Sequence, residues 1–294
     1  VEVARGLSAA VLELPQADWL CAAAGRFAGS TATTGNYVLF LDGDMELCDG
    51  WLAQAMLVLQ WDPSVAAVAG RVVDPQTGEG ELPDWPLGEL VVAGERGWEV
   101  PHPGGAAVYR RSALLETGSF NPYLRSDEEP ELALRLRARG YRILALDRPS
   151  VLHHDAVDSR LGALLARRRR GLFRGEGQVV RALLSDPPML ARYLRERGYA
   201  FVPALLALVG LASAAGSLAT RRSRWVMRLM LLGTIALSAD AVRRRSVART
   251  ALAVLNRAFY IEGLLRGFFQ PPGDPRDHPV TSAGAWIARA EVVA

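Results

Sequence analysis

The sequence predicts an α/β domain with a mostly parallel sheet, followed by a C-terminal helical region. Three observations carry this expectation. The run Tyr37-Val38-Leu39-Phe40-Leu41 is apolar throughout and rich in aromatic and branched residues, the pattern of a strand buried on both faces. Short apolar runs of this kind alternate with helical patterns up to about residue 150. Residues 198–220 then carry no charged side chain, a marked change of composition.

At 294 residues the chain has room for one large domain with an appendage, or for two domains. The expected division is an α/β domain over 1–185, a linker over 186–200 and a helical, membrane-associated region over 201–294. All 34 basic residues are arginine and the formal net charge is only +3. The arginine clusters flank apolar spans instead of interleaving with exposed aromatics, so no nucleic-acid partner is expected. Cys21 and Cys48 have no partners at metal-ligand spacing and read as reduced thiols.

Taken in order, Val1–Leu14 is compatible with a short strand ending at Pro15. Ala17–Thr34, dominated by small residues, reads as a helix that starts near Asp18 and stops at Gly35-Asn36. The strand at Tyr37 follows, and it runs into Asp42-Gly43-Asp44. A second helix runs from Trp51 to Leu59 with Leu52, Ala55, Met56 and Leu59 on one face, and Val65–Ala69 is another buried strand. Residues 74–103 are so punctuated by proline and glycine that a long loop is expected, with Trp85 and Trp98 as anchors or as a stacking face for a sugar. Gly104-Gly105 leads to Val108-Tyr109 and a helix ending near Glu116. An acidic cluster, Ser126–Glu131, opens a helix that closes at Gly140. Tyr141–Leu146 is a strand, followed by His153-His154-Asp155.

Ser159–Arg181 reads as a basic helical stretch. Gly198–Thr220 is long enough to cross a bilayer, and Trp225–Ala239 is a second apolar stretch broken by Arg228. An interfacial hairpin with snorkelling arginines and a soluble helical bundle are the alternatives. Ala251–Phe269 is amphipathic.

Ligands in open α/β sheets lie beyond the carboxyl ends of the strands. Asp42 and Asp44 are therefore expected at the lip of a site, where two carboxylates suit a divalent cation carrying phosphate oxygens. The same tripeptide is also ordinary turn chemistry, and the residues alone leave both readings open.

The order of these features decides more than any one of them. The series Asp42-Gly43-Asp44, Gly104-Gly105, Glu128-Glu129-Pro130-Glu131-Leu132, Arg135, Gly140-Tyr141-Arg142 and His154-Asp155-Ala156 resembles the family 2 inverting glycosyltransferases of GT-A fold over roughly Arg26–Arg174. The resemblance implies metal-dependent transfer of a sugar from a nucleotide-sugar donor to a glycan or lipid-linked acceptor hydroxyl, in cell-surface glycan or glycolipid synthesis. It implies Mn²⁺ or Mg²⁺ on Asp44, with Asp42 on the ribose or in the metal's shell and His154 as a further ligand. It makes Glu129 the base that takes the acceptor proton, with Glu128 as the substitute. Gly104-Gly105 then either brings backbone amides to the donor or is a plain turn. Acid enrichment in a first helical turn is also favoured by the helix dipole alone.

Two departures from the family pattern stand out. Phe27 occupies a position where asparagine is common, and the two strands expected before Val1 to form the base pocket are missing. The chain is accordingly expected to be an N-terminally truncated GT-A domain. The competing reading is a degenerate domain acting as a non-catalytic membrane scaffold. Arg167–Gly175 resembles the basic segment of membrane-bound members without the tryptophan of processive synthases, and it reads as a basic face near anionic lipid. The expected location is the cell membrane, with the catalytic domain on the cytoplasmic side and membrane lipid as a partner.

Overall fold

In the computed structural model, which describes residues 12–14, 17–154, 160–202, 205, 210, 243 and 245–282, the elements through His153 form a sheet sandwiched by helices. In chain order these are α1 (Ala22–Ala32), β1 (Tyr37–Phe40), β2 (Met45–Leu47), α2 (Trp51–Trp61), β3 (Val65–Val73), β4 (Gly80–Glu81), β5 (Gly88–Val92) and β6 (Glu95–Glu99). Then follow β7 (Ala107–Arg110), α3 (Arg111–Thr117), α4 (Glu128–Ala138) and β8 (Arg142–His153). The main path of the sheet is β1-β7-β3-β8-β6-β5, with β2 on β8 and β4 on β3.

The expectation of a mostly parallel sheet is corrected: the sheet is mixed, and β3–β8 is the one parallel pairing among the described strands. β7 lies antiparallel between β1 and β3, so those two strands run the same way without touching. The expected loop over 74–103 is also corrected. It contains the β5–β6 hairpin, whose two-residue turn is Ala93-Gly94, both at positive φ. That backbone matches the strand twist, so the glycine is a turn signal inside a strand pair. Trp98 lies in β6 with the guanidinium groups of Arg71 and Arg96 over its ring at 5.1 and 5.4 Å, whereas Trp85 is exposed.

Side-chain alternation sorts the core onto the two faces of the sheet. Ala67, Ala107, Tyr109, Ile143 and Ala145 pack with Leu132, Ala133 and Leu136 of α4. Val68, Val108, Leu144 and Leu146 pack with Trp51, Ala55, Val58 and Leu59 of α2. Trp51 is fully buried and its Nε1 donates to the Ala69 carbonyl at 3.3 Å.

β3 and β8 both run further than their apolar runs. β8 continues through Asp147-Arg148-Pro149 because its charges are matched across the sheet, Arg71 Nε to Asp147 Oδ1 at 2.6 Å and Arg148 Nη2 to Glu95 Oε1 at 2.6 Å. This extension lets β8 pair with β2, Met45 opposite His153. α1 is shorter than expected and starts at Ala22 after Cys21, without a side-chain cap from Asp18.

The chain divides into two compact units, 1–157 with 271–294, and 158–270. In the second, the helices of eight or more residues among the described residues are α5 (Arg160–Arg170), α6 (Gly175–Leu183), α7 (Pro187–Arg197) and α8 (Val247–Phe268). The expected linker over 186–200 is helix α7 followed by a 3₁₀ turn at Gly198–Phe201, since Asp186 caps the Met189 amide at 3.1 Å and prolines fill the first turn. Nor does all of 201–294 form one helical region. Residues 271–282 belong to the first unit, with a 3₁₀ turn at Pro275–Asp277 and the short α9 (Pro279–Ser282). His278 is buried there against the rings of Trp19 and Tyr123, at 5.2 and 4.6 Å.

Most of Gly198–Thr220 and all of Trp225–Ala239 lie outside the described residues, as do residues 1–11 of the strand expected over Val1–Leu14, whose residues 12–14 are not in a strand. Among the described residues no helix is long and apolar enough to cross a membrane.

Candidate active site

The site is built where three chain segments meet. β1 ends at Phe40, and Asp42 follows as the first residue of a turn closed by the Met45 amide on the Asp42 carbonyl at 3.1 Å. The acidic tripeptide is thus both a turn and the lip of the sheet. β7 pairs antiparallel with β1, Ala107 opposite Phe40, so the residues entering β7 lie beside those leaving β1. Gly105 is there for that reason. A Cβ on it would stand 2.6 Å from Asp42 Oδ2, and Gly104 holds φ +73° against Pro83. β8, through its pairing with β2, delivers the two histidines.

Arg26 of α1 ties the acids together. Its Nη2 donates to Asp42 Oδ1 at 2.8 Å, and its Nη1 donates to Glu129 Oε1 at 2.7 Å and to Glu128 Oε1. The Arg26 side chain is 9% exposed, and its guanidinium lies over the buried Phe120 ring at 5.7 Å. Burial works against its charge, but Glu129, Glu128 and Asp42 together outweigh that and hold it firmly protonated. Arg26 was not singled out from the sequence. It stands beside Phe27, where the chain departs from the family pattern, and that is the available signal.

The two glutamates differ in environment. Both open α4, where the helix dipole favours them. Glu128 is buried, and burial first, then its neighbour Glu129, pushes its carboxyl up to about 7 against the opposing pull of Arg26. Glu129 keeps 17% of its side chain exposed. Tyr109 adds a buried hydroxyl with no hydrogen-bond partner among the described residues. Burial, and then the charge of Glu129, keep that hydroxyl protonated well above its ordinary range.

Asp44 is the open end of the site, its side chain 57% exposed. His154 meets Asp44 through its backbone, its amide donating to the Asp44 carbonyl at 2.8 Å, while its ring turns to Glu46 at 3.3 Å. The ring beside the Asp44 carboxylate is that of His153, 3.6 Å from Oδ2. Successive side chains of an extended segment point to opposite faces, so the two imidazoles cannot both face Asp44. Asp155 and Ala156 lie outside the described residues.

Among the described residues, no group of three or more His, Cys, Asp or Glu side chains is arranged to hold a metal ion by itself. The mixed oxygen and nitrogen pair Asp44–His153 fits a cation that takes its remaining ligands from water and phosphate, the usual habit of Mg²⁺ beside nucleotides, and a nitrogen donor suits Mn²⁺ as well. A cleft of about 490 Å³ adjoins this pair, lined in part by Asp74, Glu79, Glu81, Gly104, Gly105 and His153.

An acidic turn at a strand end, a glutamate pair opening a nearby helix and a mixed sheet between helices define a GT-A-type domain. Residues 5–128 match the family model described as Glycosyl transferase family 2. It is 36% identical over 129 residues to the pre-mycofactocin glycosyltransferase of Mycobacterium tuberculosis, covering 41% of this chain and 27% of that protein. It is 32% identical over 139 residues to the putative polypeptide N-acetylgalactosaminyltransferase 13 of Drosophila melanogaster, covering 40% and 25%. The chain thus spans about a quarter of the length of these relatives. Among solved structures, a mannosyltransferase from Pyrobaculum calidifontis in complex with GDP-Man and Mn²⁺ aligns with a TM-score of 0.51 and 22% identity, covering 84% of this chain and 66% of that one. That likeness bears on the fold.

Proposed function

We propose that this protein transfers a sugar of hexosyl type from a nucleotide-sugar donor to an acceptor hydroxyl, with inversion, in the building of a cell-surface glycan or glycolipid. The observation that carries this reading is the gathering of Asp42, Glu128 and Glu129 around Arg26, beside the open turn at Asp44. The match to the family model supports the donor class, and the GDP-Man and Mn²⁺ of the Pyrobaculum mannosyltransferase are ligands of that kind.

Glu129 is the accessible carboxylate of the pair and takes the proton of the acceptor hydroxyl. The acceptor oxygen bonds to the anomeric carbon on the face opposite the diphosphate, and the breaking bond leaves its electron pair on the diphosphate. Arg26 holds Glu129 and Asp42 in one frame, so the base and the donor-side acid keep a fixed relation. Glu128, buried under Arg26, positions that frame and does not exchange protons with substrate. Asp44 with His153 would hold a divalent cation, Mn²⁺ or Mg²⁺, with Asp42 in its surroundings, and the cation supplies neutralisation of the departing diphosphate. We place the reaction at the cytoplasmic face of the cell membrane, near a lipid-linked or glycan acceptor. The charge-free composition of residues 198–220 supports that placement.

Glu129→Gln in the full chain tests the reading, with nucleotide release followed over a panel of donors in Mn²⁺ or Mg²⁺. Turnover should fall by roughly 10²- to 10⁴-fold, while metal-dependent nucleotide binding persists. Undiminished turnover removes Glu129 from the mechanism.

A further inference from the structure

The helical unit holds a second charged site that sugar transfer at the sheet does not use. A cavity of about 200 Å³ is lined by four guanidinium groups, those of Arg168, Arg169, Arg174 and Arg266, and by one carboxylate, Glu262. Four positive charges against one negative leave a formal excess of three. Arg168 takes both oxygens of Glu262, Nε to Oε2 at 2.8 Å and Nη2 to Oε1 at 3.0 Å, and Arg266 Nη2 shares Oε1 at 2.8 Å. The hydrogen bond from Arg168, more than any other cause, keeps the Glu262 carboxyl below its ordinary range. A single ionised carboxylate therefore serves two of the lining arginines.

A run of arginines at a helix end is ordinarily a solvated face favoured by the helix dipole. Here the dipole offers about half a negative charge at the end of α5, less than the excess. Two guanidinium groups of this run are also held in place. Arg168 stacks on the Phe259 ring at 4.7 Å and Arg167 on Phe173 at 5.7 Å. Gly171, at φ +77°, turns the chain sharply between α5 and α6. α6 and α8 then approach backbone to backbone: a Cβ on Gly177 would stand 2.1 Å from the Leu264 carbonyl oxygen, one on Gly263 would stand 2.4 Å from that of Phe173, and one on Gly267 would stand 2.1 Å from that of Arg174. No side chain fits at these positions, so the crossing fixes the spacing of Arg174, Glu262 and Arg266. The result is a small, aromatic-floored cavity that gathers several guanidinium groups, the composition that suits a phosphate oxygen cluster.

We propose that this cavity binds a phosphate group, either a free phosphate or the phosphate of a lipid headgroup, as a site separate from the sugar-transfer site. Free phosphate and headgroup phosphate present the same tetrahedral oxygens, and the source decides only what the rest of the molecule touches. The test uses the full chain in EDTA, which removes metal-dependent binding at the acidic turn. One arm titrates inorganic phosphate by calorimetry. The other sediments the protein with phosphatidylcholine vesicles with and without phosphatidylglycerol.

Arg169→Gln combined with Arg266→Gln should weaken the responding arm by about a hundredfold, tenfold for each lost charge-assisted contact at about 1.4 kcal/mol per decade. Glu262→Gln removes the competing carboxylate and should tighten binding. Arg195→Gln combined with Arg249→Gln removes the same charge elsewhere in the helical unit and should change binding less than threefold. A response to inorganic phosphate assigns a soluble ligand, and a response to phosphatidylglycerol vesicles alone assigns a headgroup. The proposal is overturned if neither arm responds, if Glu262→Gln weakens binding, or if the two double variants lose affinity equally. Circular dichroism of each variant separates lost binding from lost folding.

Discussion

Glu128 makes the sheet unit less stable as the pH rises through neutrality, and Glu128→Gln should abolish that loss. In the folded protein its carboxyl is pushed up to about 7 from an ordinary 4.5, by burial first and by Glu129 second. A group whose value is raised on folding holds its proton more tightly in the native state. Its contribution is complete below about 4.5 and is lost as the pH climbs through about 7. The gap corresponds to roughly 3 kcal/mol. Glutamine mimics the protonated acid, so the variant and the parent should unfold alike near pH 4. By pH 8 the variant should be the more stable by up to roughly 3 kcal/mol. Other carboxylates titrate in both proteins and largely cancel in the difference. Urea unfolding, followed at a series of pH values by tryptophan fluorescence, to which the fully buried Trp51 contributes, measures it. Parallel stability curves across pH 4.5 to 8 would refute the burial argument and mean that Glu128 is ionised beneath Arg26 throughout.

Three further outcomes follow from the site. Arg26→Met strands three carboxylates at one point, and should lower stability by about 3–5 kcal/mol, as loss of one partner of a buried pair does; urea titration at pH 7.5 checks it. Gly105→Ala places a methyl group against Asp42 Oδ2, where only 2.6 Å is open; displacing that carboxylate should reduce kcat/KM by roughly ten- to a hundredfold with the unfolding midpoint little changed. His153→Ala should raise the metal concentration needed for half-maximal turnover by roughly tenfold, whereas His154→Ala, whose backbone amide survives, should leave it unchanged. A metal titration of both variants distinguishes the two histidines.

How far the sequence could be read depends on what each residue leaves in local pattern. The run at Tyr37 gives β1 and its acidic turn, and the acid cluster at Ser126 gives the opening of α4, because burial on both faces and a helix's first turn have local signatures. Strand direction has none. Ala107–Arg110 is four residues long, and only pairing with β1 and β3 shows that it runs against them. β8 was cut short at Leu146 because Asp147, Arg148 and Pro149 look like a loop until their partners Arg71 and Glu95 are brought across the sheet. Arg26 was hidden among 34 arginines, since composition cannot say which cation is buried. His153 and His154 are adjacent in sequence, and the register of Met45 opposite His153 decides which ring meets Asp44.

The return of residues 271–282 to the sheet unit bears on how the protein can be dissected. The polypeptide leaves that unit near residue 157 and re-enters it at 271, so the helical unit is an insertion in the sense of chain topology. Cutting after 157 would remove His278 from between Trp19 and Tyr123, and Gly273 from the face of Tyr123, where a Cβ would come within 2.4 Å of the ring. Two aromatic faces would then be uncovered, one of them beside the helix that carries Arg26. A free-standing sheet unit therefore needs residues 271–282 as well as those before 158, which keeps the plug that seals its own flank.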